Sequence, residues 1–80
     1  MTYYVIRSKS DDGTYFLVNG WNNLKRIWAK RYLPDTYFHT KGAAKSSLTR
    51  LLKVMPEYRF EIFDILHIDV LGNILEREDI

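Results

Sequence analysis

Two short runs of aromatic and β-branched residues, separated by a turn signal, most constrain how this chain folds. Residues 2–8 and 14–19 have the composition of strands, and Asp12 followed by Gly13 lies between them. Glycine adopts a positive φ without a steric penalty, so an Asp-Gly pair favours a tight turn. The sequence therefore predicts an N-terminal β-hairpin.

Two segments after the hairpin have the spacing of amphipathic helices. In residues 22–33, apolar side chains recur at intervals of three and four positions, at Leu24, Ile27, Trp28 and Tyr32. Residues 41–55 have a similar stripe, with Thr40 placed to cap the helix and Pro56 to end it. The sequence predicts a helix in each segment, with residues 37–39 extended between them.

The last third of the chain alternates in the manner of a strand. In residues 58–71 one face is apolar apart from Asp64, with the sequence Tyr58, Phe60, Ile62, Asp64, Leu66, Ile68 and Val70. We expect this face to lie in the core. Because a lone carboxylate in an apolar row is costly, we expect a bulge near residues 63–65 or a cationic partner for Asp64. A turn at Gly72 and Asn73 precedes a final strand at residues 74–77.

Together these segments predict one α+β domain that covers residues 1–80. The predicted order is ββα(β)αβ(β), and strands paired at both ends favour a small antiparallel sheet with two helices packed mainly on one face. A chain of 80 residues supports a single compact core. It has no cysteine, which excludes disulfide and thiolate chemistry.

The charge of the chain is polarised. Residues 1–55 hold ten basic and three acidic groups, a net charge of +7, whereas residues 56–80 hold two basic and seven acidic groups, a net charge of −5. A basic surface could meet phosphate or an acidic protein. The alternative is that the acidic C-terminal strands lie beside the basic elements and neutralise them.

No arrangement of residues indicates catalysis, a metal site or a cofactor. The four glycines are isolated, so no phosphate-binding loop is present. His67 and Asp69 would share one strand face, but two ligands without a third are too few for a metal centre. We therefore expect a protein that is not an enzyme and that has no catalytic residues, metal or cofactor.

The predicted hairpin is apolar on both faces. If the helices cover one face, a tyrosine-rich patch remains for a partner protein or a homodimer contact, formed by Tyr3, Val5, Tyr15 and Leu17. The alternative is that both faces are covered, for example by residues 35–40.

Basic and aromatic residues are interleaved in the two predicted helices. Phosphates require cations and bases stack on rings, so this composition suits a nucleic acid. The residues of this alternative site are Lys25, Arg26, Lys30, Arg31, Tyr37, Lys41 and Lys45. Side-by-side packing of the helices would place their cations along one groove.

Several motifs resemble a pattern found in small proteins of bacteriophages and mobile elements. They are Tyr4, Val5 and Ile6; Asp12 and Gly13; Tyr15; Trp21; Ala29; Tyr32; Thr40, Lys41, Gly42 and Ala43; and Leu48. Those proteins join a hairpin to a helix that begins Thr-Lys-x-x-Ala and return with a strand. They share no common activity, so the resemblance implies an accessory role in binding a host protein or a nucleic-acid complex. The DNA-mimicking inhibitors in this group are often acidic, which this chain is not.

These observations lead to two expected functions. The first is a phage-type binding module that binds or inhibits a host-encoded protein through a protein–protein interface, and the alternative is a nucleic-acid-binding accessory protein. The chain has no apolar run of the roughly 18 residues that span a bilayer, and its start is unlike a signal peptide. We therefore expect a cytoplasmic protein without a membrane partner, in the host cytoplasm if phage-encoded.

Overall fold

A five-stranded antiparallel sheet and one α-helix make up the regular structure of the described chain. The computed structural model describes residues 1–21, 26–32 and 34–80. The elements are β1 (Tyr3–Ser10), β2 (Gly13–Leu17), β3 (Trp28–Ala29), α1 (Lys41–Val54), β4 (Ile62–Ile68) and β5 (Ile74–Asp79). The strand order is β3-β2-β1-β4-β5, and 3-10 turns at Pro34–Thr36 and Pro56–Phe60 precede α1 and β4. The predicted α+β class with an antiparallel sheet is confirmed, but only one of the two predicted helices is present in the described residues.

The N-terminal hairpin forms as its turn signal predicts. Ser10 pairs with Gly13, so Asp11 and Asp12 alone make the turn. Gly13 has a φ of 141°, a conformation that L side chains rarely adopt. The hairpin lies in the middle of the sheet because β1 also pairs with β4 along its length, from Tyr3 opposite Ile68 to Lys9 opposite Ile62.

The helix predicted for residues 22–33 is wrong over residues 26–32. Trp28 and Ala29 form a strand opposite Leu17 and Phe16, and the Val18 amide donates to the Ile27 carbonyl oxygen at 2.8 Å. Ladder hydrogen bonds to the open side of β2 outweigh the local helical spacing, and the aromatic residues of this segment suit a strand. Residues 22–25, including Lys25, lie outside the described residues.

The second predicted helix is confirmed, almost to the residue. The Thr40 hydroxyl oxygen accepts a hydrogen bond from the Ala43 amide at 3.0 Å, which caps the N-terminus of α1. Its buried side chains follow the predicted stripe: Ala44, Ser47, Leu48 and Leu51. This stripe fixes α1 on one face of the sheet.

Apolar residues are buried on both faces of the sheet. Beneath α1 lies a cluster formed by Ile6, Leu17, Trp21, Phe38, Ala44, Leu48, Leu51, Phe63 and Ile65. The reverse face has a smaller cluster, formed by Val5, Phe16, Leu66 and Ile68 and covered by Tyr3, Tyr32 and Tyr37. The chain before α1 therefore covers the face that α1 leaves open.

The long alternating segment is a shorter strand than its pattern predicts. Leu66 and Ile68 are buried as expected, but Ile62 at the start of β4 is 78% exposed, and Val70 is 67% exposed because β4 ends at Ile68. The irregularity in pairing lies between His67 and Ile68 rather than at residues 63–65. The expected cationic partner of Asp64 is present: it is Arg7, which lies opposite Asp64 on β1.

Candidate functional site

The four residues of the predicted hairpin patch do not form one surface. Directly paired residues share a face, and Ser8 lies opposite Tyr15. Tyr15 and Leu17 therefore face α1, whereas Tyr3 and Val5 face the reverse side. Val5 and Leu17 are fully buried, and Tyr3 and Tyr15 are partly buried. No continuous apolar patch remains on this hairpin for a partner to contact.

The basic residues of the alternative site are also dispersed. Arg26, Lys30 and Arg31 are exposed beside β3, and Arg26 pairs with Asp35 at 2.5 Å. Lys41 pairs with Glu78 of β5 at 2.8 Å, at the opposite edge of the sheet. Four strand spacings, about 19 Å, separate these edges, so the cations do not line one groove.

The remaining two members of that site lie apart from both edges. Tyr37 stacks on Tyr3 on the reverse face, with ring centroids 5.4 Å apart. Lys45 is exposed on α1, on the other side of the sheet. The cation–aromatic groove that the two helices were expected to form is therefore not assembled.

The two oppositely charged halves of the chain are partly paired. Arg7 donates to both carboxylate oxygens of Asp64, from Nε at 2.9 Å and from Nη2 at 2.6 Å. Burial raises the pKa of Asp64, but the hydrogen bonds and charges of Arg7 and Arg77 outweigh burial, and the pKa lies below its ordinary range. The hydrogen bond from Lys41 lowers the pKa of Glu78, and the hydrogen bond with His67 lowers that pKa further. Neutralisation thus removes several cations and anions from any binding surface.

The most unusual exposed surface lies at the end of the β4–β5 hairpin. We call it the apolar end, and it consists of Val70, Leu71, Ile74 and Leu75, whose exposed fractions are 67%, 84%, 52% and 58%. Hairpin turns are normally polar, whereas here large aliphatic side chains flank the turn on both sides. Large aliphatic residues that are exposed together in one short stretch of chain commonly mark a contact surface.

The turn that presents these side chains is extensively hydrogen-bonded. Asp69 Oδ1 accepts from the amides of Leu71 and Asn73, each at 2.9 Å, and Oδ2 accepts from the Asn73 side-chain amide at 3.0 Å. The Asn73 hydrogen bonds, backbone first, lower the pKa of Asp69. From the reverse face, the Tyr32 hydroxyl donates to the Gly72 carbonyl oxygen at 2.8 Å. The apolar end is therefore held in a defined conformation.

The edge of the sheet adjoins the apolar end. The Ile80 amide donates to the Phe63 carbonyl oxygen, so the backbone groups of Ile80 point toward β4. Along an antiparallel strand, residues whose backbone groups bond to the neighbouring strand alternate with residues whose backbone groups point away from it. The backbone groups of Arg77 and Asp79 therefore point away from β4, toward the open side of β5. Charged side chains on this part of the edge disfavour pairing with another strand. The uncharged end of the hairpin is therefore the part that remains accessible for a contact.

A second exposed surface is the outer side of α1. Lys45, Arg50 and Lys53 border a shallow depression together with the hydroxyls of Ser46 and Thr49. Within the described residues none of these three cations forms an ion pair, and the helix contains no acidic residue. This surface therefore keeps its full positive charge.

The structure separates His67 from Asp69. His67 Nε2 lies 2.7 Å from Glu78 Oε2, whereas Asp69 belongs to the turn. In the part of the chain that is described, no three acidic or imidazole groups are placed to hold a metal ion.

Within the described residues, no helix combines the length and apolar character that a bilayer span requires.

Comparison with known proteins finds no family model, curated protein or solved structure that matches this chain.

A signal for the apolar end was present in the sequence. Two aliphatic pairs, at residues 70–71 and 74–75, flank Gly72 and Asn73. The length of the alternating pattern pointed instead to a buried strand that extends to residue 71.

Proposed function

We propose that this chain is a non-enzymatic binding module that contacts a partner protein through the apolar end. The observation that carries this proposal is the exposure of four large aliphatic side chains on a turn fixed by Asp69 and Tyr32. Burying one such side chain fully is worth about 1.5–3 kcal/mol, so a complementary apolar surface gains substantially by covering them.

The rigidity of the turn supports a binding role. A partner does not have to order these residues, because the hydrogen bonds of Asp69 already define their positions. Preordered contact residues reduce the entropic cost of association. The resemblance to phage and mobile-element proteins suggests a host-encoded protein as this partner, and an accessory, modulating role follows from it.

A second candidate function is nucleic-acid binding through α1. The observation that favours it is the absence of an ion pair at Lys45, Arg50 and Lys53 within the described residues. Lysine, arginine and hydroxyl side chains on one exposed helix surface suit phosphate contacts. Three such contacts correspond to a log–log salt slope of roughly −2 to −3, shallower than a groove lined by both predicted helices would give.

Affinity capture from a lysate of the natural host, with and without nuclease, separates the two candidates. The test variant is Leu71→Asn with Leu75→Asn, and the matched control is Lys45→Gln with Lys53→Gln. We expect a specific protein to bind the wild type and the control after nuclease treatment, and to be lost from the apolar-end variant.

Two other results would contradict the protein-contact proposal. Equal capture by the apolar-end variant would show that these side chains are not the interface. Capture that nuclease and the lysine variant both abolish would instead support the second candidate, because phosphate contacts depend on those charges.

A further inference from the structure

A small cleft at the other end of the sheet combines aromatic rings with carboxylates. It lies beside the β1–β2 turn, and the length of β1, about 23 Å, separates it from the apolar end. Its lining residues come from the hairpin, β3 and the segment that leads into β4: Ser10, Asp12, Tyr15, Trp28, Tyr58 and Glu61. Neither candidate function uses these side chains.

The rings of this cleft are held by neighbouring groups. Trp28 lies nearly parallel to Phe63, with centroids 6.1 Å apart, and meets Tyr58 edge to face at 5.6 Å. The Tyr15 hydroxyl donates to Asp12 Oδ2 at 2.9 Å. Because the rings are already positioned, a ligand would bind them without ordering them first.

The two carboxylates retain acceptor capacity. Asp12 Oδ1 accepts from the Ser10 hydroxyl at 2.5 Å, and Glu61 Oε2 accepts from the Ser8 hydroxyl at 2.5 Å. Each carboxylate offers about four acceptor sites, more than these bonds occupy. The Ser10 and Tyr15 hydrogen bonds lower the pKa of Asp12, and exposed Lys30 has a smaller effect in the same direction.

Charge and size together select the class of ligand. Two carboxylates repel anions, whereas aromatic rings attract cations through their quadrupoles. The space of about 220 Å³ is below the roughly 300–1,000 Å³ of typical small-molecule pockets, so it suits one head group rather than a nucleotide. We propose that this cleft binds an alkylammonium group, which a lysine side chain or a free quaternary amine would supply.

NMR titration of the full chain tests this proposal at constant ionic strength. The probes are choline, N-acetyl-lysine amide and 3,3-dimethylbutan-1-ol, a neutral analogue of choline. We expect saturable shifts of the Trp28 indole N–H and the Gly13 amide with a cationic probe, and at least about fivefold weaker binding of the alcohol. Binding of choline alone assigns a free quaternary amine, whereas binding of the lysine amide assigns a side chain.

Substitutions then locate the bound cation. Asp12→Asn and, independently, Glu61→Gln should each weaken binding about three- to fivefold, while Glu76→Gln, at an exposed carboxylate on β5 outside the cleft, should leave it unchanged. Equal binding of the neutral alcohol would overturn the proposal. So would shifts that both carboxylate variants leave unaltered, or the absence of saturable shifts up to roughly 50 mM of each cation.

Discussion

Asp64 and Arg7 form a largely buried ion pair. The side chain of Asp64 is 9% exposed and that of Arg7 is 16% exposed, so both charges are largely removed from water. The two parallel N–H···O bonds compensate the cost of that removal. If either partner is removed, the other is left as an uncompensated charge.

We predict that Asp64→Ala destabilises the fold by about 3 kcal/mol, because Arg7 loses its partner in a low-dielectric environment. The control is Asp79→Ala, since Asp79 is 74% exposed and bonds the same Arg77 Nη1 that reaches Asp64. It should cost less than about 1 kcal/mol. Urea unfolding monitored by circular dichroism measures both, and equal losses would contradict this role for Asp64.

The effect of Asp64→Ala should also depend on pH. Because the pKa of Asp64 in the folded chain lies below its ordinary value of 3.8, its stabilisation is complete above that value and is lost as the pH falls through the folded-state pKa. The stability difference between wild type and variant should stay constant from about pH 7 to 5 and shrink below about pH 4. A difference that grows in acid would exclude an ionised Asp64 in the native state.

The sequence predicted that Asp64 requires a cationic partner or a bend, but it did not predict which residue is the partner. An acidic residue in an apolar row needs a cation or a bend. The choice of Arg7 depends on β1 lying next to β4 with Arg7 opposite Asp64, a long-range pairing that local pattern does not specify.

Helix α1 shows what local pattern does specify. Its cap, buried stripe and end at Pro56 follow from residues within one segment, so the prediction did not depend on the rest of the fold. Leu51 is fully buried against the sheet, as its position in the stripe requires.

We predict that Leu51→Ala lowers stability by about 2–4 kcal/mol, through lost apolar burial and the cavity that remains. Val54→Ala, at a 60% exposed position on the same helix, is the matched control and should change stability by about 0.5 kcal/mol or less. Thermal or urea unfolding of both variants provides the comparison. Similar midpoints for the two would show that this stripe does not pack on the sheet.

The segment before α1 shows where local pattern fails. Ile27 and Trp28 pack on the α1 side of the sheet, whereas Tyr32 packs on the reverse side, although helical spacing put all three on one face. This segment pairs with the open side of β2, and a short window of sequence contains no information about that distant strand.

For the whole molecule, folding sorts the charges and the apolar residues into separate surfaces. Pairs such as Arg7 with Asp64 and Lys41 with Glu78 join the basic and acidic parts of the chain. Lys45, Arg50 and Lys53 of α1 form no ion pair within the described residues, and the apolar end lies beyond the last residues of β4. Composition predicted the charge polarity, but only strand boundaries show which residues stay exposed.

Site-specific photo-cross-linking tests the proposed protein contact most directly. A photoreactive phenylalanine analogue replaces Leu71 in one variant and Thr49, on the outer side of α1, in another, and both are irradiated in lysate of the natural host. We predict a discrete protein adduct from position 71 that nuclease does not affect and that Leu75→Asn abolishes, with none from position 49. A nuclease-sensitive adduct from position 49, or no adduct from position 71, would contradict the proposed protein contact.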